Sequence, residues 1–120
     1  MSTYEVIFYS NKGKVKSPVK EFIANAPSAD RAKILSCLQS LREQGVTAPK
    51  VNCRQIKDKL WEIKISASVG YRIFYIIVQR NTIVLLHGYK KKTQKAPLKE
   101  LKVATKRMNE VLKDETIYIR

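Results

Sequence analysis

The chain has 120 residues, 44% hydrophobic and 28% charged, with 24 lysines and arginines against 10 acids and a formal net charge of +14. That length supports one domain, spanning residues 1–120, with a core that needs neither disulfides nor metals, and the apolar content excludes wholesale disorder. No apolar run is long enough to span a bilayer, and the charge calls for a polyanionic partner: nucleic acid, the ribosome, an acidic protein or an anionic membrane surface.

Taken in order, residues 4–9 alternate as a first strand, followed by an NKGK turn. Ser17-Pro18 is a helix start, with serine as cap and proline at the first helical position. That helix carries Val19, Phe22, Ile23 and Ala26 and stops at Pro27. Ser28 is expected to cap a second helix with an apolar stripe of Ala32, Ile34, Leu35, Leu38 and Leu41, closed by Gly45. The same stripe takes in Cys37 as filler. Cys53 falls in a polar, basic connector, 46–59, to which no element is assigned. The two thiols have neither metal-ligand spacing nor the pattern of a disulfide framework. The N-terminus lacks the order of a signal peptide, and a cytoplasmic location is expected.

Residues 60–95 read as three strands separated by tight turns. Side chains alternate between faces, so each run splits into two lists. Trp61, Ile63 and Ile65 share one face, Glu62 and Lys64 the other. Arg72 is the lone charge of an otherwise apolar run, 71–78. His87, Tyr89 and Lys91 share a face if the last strand carries through. The short connections predict an antiparallel meander. Pro97 opens a third helix in which Leu98, Leu101, Thr105, Met108 and Leu112 face inward, and residues 114–120, ending in TIYIR, form a tail. The class is α+β, a small, mainly antiparallel twisted sheet. Two helices after the first strand cover one face, leaving the other open for the polar list. On that face Glu62, Lys64, Arg72, His87, Tyr89 and Lys91 would gather near one end of the sheet, combining phosphate-binding cations with groups able to move protons.

The runs LWEIKI, GYRIFYII and IVLLHGYKKKTQKAP, with the basic helix behind them, resemble the RelE/HigB superfamily of bacterial toxins, and within it the phage-derived HigB-like branch. The resemblance covers nearly the whole chain in element order and is densest over residues 60–107. It implies a RelE-like fold and the toxin of a type II toxin–antitoxin pair, an mRNA endoribonuclease acting in the ribosomal A site. Its partners would be mRNA, the ribosome and a cognate antitoxin with a helix-turn-helix domain. Operator DNA would be met only through the antitoxin complex, and neither a membrane nor a cofactor is implied.

Metal-independent RNA cleavage needs a group to take the 2′-hydroxyl proton, cations to hold the charged phosphorane, and a donor for the leaving oxygen. Arg72 suits phosphate clamping through its planar fork, and it matches the arginine of the family's GYR motif. Lys64 matches a strand cation that is functional in several members. Lys91 falls where RelE-like toxins place a catalytic arginine and is the preferred transition-state cation. His87 titrates nearest neutrality, with a structural role at a strand end as its alternative. Tyr89 is a proton donor, a base-stacking group or a buried structural residue. Glu62 is a base or a holder of Lys64 and Arg72, and departs from the lysine that RelE-type sequences carry there. Lys90, Lys92, Lys95 and Lys99 are expected to contact RNA phosphates. Lys102 and Lys106 extend that footprint, with a solvated face as the alternative. Trp61, Phe74 and Tyr75 are candidates for base stacking, with the core as the competing place. A ParE-like gyrase poison on the same fold and a non-catalytic RNA-binding protein remain the alternative functions. The sequence offers no carboxylate cluster for a metal.

Overall fold

The computed structural model describes residues 4–10, 17–45, 51–91 and 97–115. The elements are β1 (Glu5–Phe8), α1 (Pro18–Ala24), α2 (Ser28–Gln44), β2 (Asn52–Lys57), β3 (Leu60–Ser66), β4 (Gly70–Val78), β5 (Thr82–Lys90) and α3 (Leu98–Lys113). The five strands form one sheet in the order β1-β5-β4-β3-β2. β2 to β5 make the antiparallel meander, and β1 lies parallel to β5 at the edge. This is the α+β arrangement expected from the sequence and is consistent with a small RelE-like fold. The NKGK segment and the TIYIR tail lie outside the described residues.

Local chemistry sets most of the boundaries. The Ser17 hydroxyl accepts from the Lys20 amide at 3.4 Å and caps α1. Pro27, not Ser28, occupies the cap position of α2, and no side chain caps that helix. Gly45 takes φ 74° and ends α2, a conformation open to glycine at no steric cost. The turn between β4 and β5 uses Gln79 and Arg80 at positive φ, the backbone that suits the twist of a hairpin.

β2 was not legible as a strand. It is polar along most of its length, and it pairs with β3 as an exposed edge. Cys53 therefore sits in a strand rather than a connector, half-buried like Cys37 on α2, and both thiols are free. Burial pushes both above the usual thiol range.

Two apolar layers flank the sheet. Under α1 and α2 lie Val19, Ile23, Ile34, Leu38 and Leu41 with Ile63, Ile65, Tyr71, Ile73, Tyr75, Ile83 and Leu85. On the opposite face α3 packs Ala104, Met108 and Val111 against Phe74, Ile76, Val84, Leu86 and Tyr89. That face is not open along its length, as the sequence suggested, because α3 closes over β4 and β5. The end nearest the β3–β4 turn stays accessible. Leu98 and Leu35, expected inside, are 72% and 48% exposed. Phe74 and Tyr75 are fully buried and have no free face for a base, whereas Trp61 is half-buried and stacks on Tyr75 from the α2 side.

A bulge in β5 decides which residues share the accessible end. Phe74 pairs with His87 and Tyr75 with Leu85, so Leu86 is the extra residue. Before it the α3 face carries Val84; after it the same face carries His87 and Tyr89. Were the same residues to run as a regular strand with no bulge at Leu86, alternation would send His87 and Tyr89 to the other side.

Candidate functional site

The pairing registers lay two rows of side chains across four strands on the α3 face. The outer row runs Asn52, Lys64, Arg72, Tyr89. The inner row runs Arg54, Glu62, Phe74, His87. At the end of the outer row, where α3 does not reach, lies a cleft of about 490 Å³. Asn52, Lys64, Ser66, Arg72 and Lys91 line it together with the β3–β4 turn. Lys91 follows the last residue of β5, and its amide donates to the Gly70 carbonyl at 2.8 Å. The aliphatic stem of Lys91 then lies across Gly70, where a Cβ would come within 3.3 Å of it. A side chain at position 70 would displace this stem by a few tenths of an ångström.

Glu62 sits beneath the cations, with 0% exposure. Its Oε1 accepts from Arg72 at 3.0 Å and from Arg54 at 3.1 Å, and its Oε2 from the Tyr89 hydroxyl at 3.0 Å. A carboxylate so enclosed has its oxygens taken up by three donors. It fixes the guanidinium of Arg72, a residue that is itself 2% exposed and contributes to the cleft wall. Tyr89 is 6% exposed and its hydroxyl donates a hydrogen bond to Glu62; burial and the carboxylate beside it hold the phenol above its usual range. Lys64 is half-buried. Partial desolvation, with Arg54, Arg72 and Lys91 nearby, lowers its amine below the usual lysine range, and Glu62 partly opposes this.

His87 is set apart from the cleft wall. Its Nε2 lies 2.7 Å from Glu100 Oε1, and Arg107 Nη1 lies 3.3 Å from its Nδ1. An arginine only donates, so Nδ1 accepts and Nε2 carries the proton shared with Glu100. Burial foremost pushes the imidazole below its usual range, Arg107 adds to this and Glu100 opposes it. His87 thus ties β5 to α3. Lys90 points to the α2 side, opposite Tyr71, and Lys99 is exposed on α3. Lys92 and Lys95 lie outside the described residues.

Sequence reasoning missed Asn52 and Arg54, which enter the site only through β2. Reading NCRQIKDKLWEIKI as a hairpin turning at Asp58-Lys59 would have found them, since Arg54 then faces Glu62. It also missed the seat of the β3–β4 turn. Asp30, in the first turn of α2, accepts from the Ser68 amide at 3.1 Å, the Ser68 hydroxyl and the Tyr71 hydroxyl at 2.7 Å. Those bonds hold its carboxyl below the usual range.

The cleft gathers three cationic side chains, of which Arg72 is held in place by Glu62, a charge arrangement suited to an anionic group. Among the described residues, no three His, Cys, Asp or Glu side chains converge on a point that could hold a metal ion. None of the described helices is long and apolar enough to cross a membrane. Fold and site together define a small α+β domain with a cationic cleft seated over a buried carboxylate. The chain belongs to the phage-derived protein Gp49-like family (DUF891), whose sequence model matches residues 21–109. This family is associated with the toxins of toxin–antitoxin pairs. No curated protein matches the chain.

Proposed function

We propose that the protein is the toxin of a type II toxin–antitoxin pair and cuts mRNA in the ribosomal A site by metal-independent attack of a ribose 2′-hydroxyl on the adjacent phosphate. One observation carries the reading: Lys64, Arg72 and Lys91 line a single cleft, with Arg72 locked by a carboxylate that no solvent reaches. Membership of the Gp49-like family supports the toxin class.

The geometry favours a division of labour. Arg72 clamps the non-bridging oxygens of the scissile phosphate from a fixed position, so little reorganisation is needed as charge builds. Lys64, with its lowered amine, takes the 2′-hydroxyl proton as the bond from the 2′-oxygen to phosphorus forms. Lys91, as the ammonium, stabilises the phosphorane and delivers a proton to the 5′-oxygen as its bond to phosphorus breaks. The products are a 2′,3′-cyclic phosphate and a 5′-hydroxyl. Glu62 and Tyr89 position Arg72 in this scheme, and His87 belongs to the scaffold. A cognate antitoxin silences the toxin by laying an acidic segment over the cleft, and its helix-turn-helix domain takes the complex to operator DNA.

Mapping of mRNA 5′ ends after brief induction tests the proposal, comparing wild type with Lys64→Ala and Lys91→Ala. Wild type is expected to create new ends within translated frames, and each variant to lose them by about 10²-fold or more, the scale of a positioned acid or base. Growth arrest without new ends would overturn the nuclease and direct attention to gyrase.

A further inference from the structure

A second cationic surface lies on α3, and the fold creates it by sorting charge. In sequence α3 mixes signs, with Lys99, Lys102, Lys106, Arg107 and Lys113 beside Glu100 and Glu110. In the folded chain both acids turn to the sheet, Glu100 to His87 and Glu110 to the Tyr9 hydroxyl at 2.5 Å. Arg107 turns inward as well, donating to the Leu86 carbonyl at 2.9 Å and lying over the Tyr9 ring. What remains exposed after Leu98 is Lys99, Lys102, Lys106, Asn109 and Lys113. At 3.6 residues per turn these five positions fall within an arc of about 80°. At 1.5 Å per residue the row runs for about 21 Å. Along that length a nucleic-acid strand presents about six phosphates.

The composition of the row selects its partner. Leu98, at the start of the helix, is the one large apolar side chain exposed on α3, so the surface lacks the apolar centre of a protein interface. It holds no exposed arginine or aromatic group to fork or stack on bases. Lysines on flexible stems act as point charges and match phosphates without reading sequence. We infer that the outer face of α3 is a track for the sugar–phosphate backbone of a nucleic acid. It is engaged separately from the cleft, and the inference rests on the sign and layout of the helix rather than on the cleavage chemistry.

The test is the salt dependence of binding of the full chain to a 20-base-pair RNA duplex, followed by fluorescence anisotropy. The track variant combines Lys99→Gln, Lys102→Gln, Lys106→Gln and Lys113→Gln. A charge-matched control carries Lys20→Gln, Lys33→Gln, Lys57→Gln and Lys59→Gln, all exposed positions on other elements. At about 0.9 per phosphate contact, the track variant is expected to flatten the slope of log affinity against log salt by about 3–4. Between 50 and 200 mM salt, wild type should then lose about 10²-fold more affinity than the variant. The control should keep most of the wild-type slope. Equal flattening in both variants would reduce the track to net charge and overturn the inference. Unchanged duplex binding by the track variant, with loss of binding to a poly-glutamate peptide, would overturn it in favour of an acidic protein. Lys64→Ala and Lys91→Ala are expected to retain duplex binding while abolishing cutting, so the nuclease reading and this one fail separately.

Discussion

Replacing Glu62 by glutamine keeps the shape of the side chain and removes its charge. Arg72 is then left 2% exposed with no counter-charge. Removing one partner of a buried ion pair costs about 3–5 kcal/mol, because the other charge stays desolvated. The bond to Arg54 adds little, since that side chain is 44% exposed and exposed pairs contribute about 0–1 kcal/mol. The glutamine oxygen still accepts one hydrogen bond, which keeps the total near the lower half of the range. A domain of this size is stable by about 5–15 kcal/mol, so Glu62→Gln should fold with a much reduced margin. With a urea slope of about 2 kcal/mol per molar, the midpoint should fall by about 1.5–2 M. Urea titration followed by tryptophan fluorescence reads this directly, since Trp61 packs on Tyr75 beside the network. A double-mutant cycle with Arg72→Met then isolates the pair, and the coupling should exceed about 2 kcal/mol. A loss below about 1 kcal/mol, the value of an exposed pair, would refute the claim that Glu62 anchors the cleft.

Two further outcomes are expected. Asp30→Asn should lower the melting temperature at neutral pH. Because the carboxyl is depressed in the folded chain, its contribution is present above the unfolded value near 3.8 and is lost as pH falls through the lower folded value. The melting curves of variant and wild type should therefore converge in strong acid, and a gap that persists there would contradict the assignment. Gly88→Ala places a methyl 2.5 Å from the Phe22 ring and should destabilise by about 1–3 kcal/mol, unless α1 shifts outward. Thermal melts of Gly88→Ala alone and with Phe22→Leu check this, since the smaller side chain should recover much of the loss.

The strongest sequence signals were those in which one face of an element is buried. Ile63 and Ile65, or Ile34, Leu38 and Leu41, announce themselves through spacing, because burial demands apolar residues at the helical or strand period. The caps at Ser17 and Gly45 are equally local. β2 was invisible for the opposite reason: an exposed edge strand carries polar residues on both faces, so no alternation marks it, and Asn52 and Arg54 went with it. Lys64, Arg72 and Lys91 were named as candidates from residue type and strand parity, and the structure places them in one cleft. The parity argument alone does not bring His87 and Tyr89 to the Arg72 side, because the bulge at Leu86 intervenes and nothing local marks it. The buried state of Glu62 was also out of reach. A charged residue in an alternating strand reads as exposed until its arginine partners are known, and those lie on two other strands.

The parallel pairing of β1 with β5 governs the order in which the molecule can be assembled. Residues 5–8 emerge first from a ribosome, yet their partners are residues 82–85. Contacts so distant along a chain form slowly and late, because loop closure must be met before they contribute. The meander from β2 to β5, joined by short turns, can pair while β1 still waits. Tyr9 and Glu110 meet only after the last helix has been made. A nascent chain thus holds every residue of its cleft before the last helix, which fastens the sheet from one side, has been made.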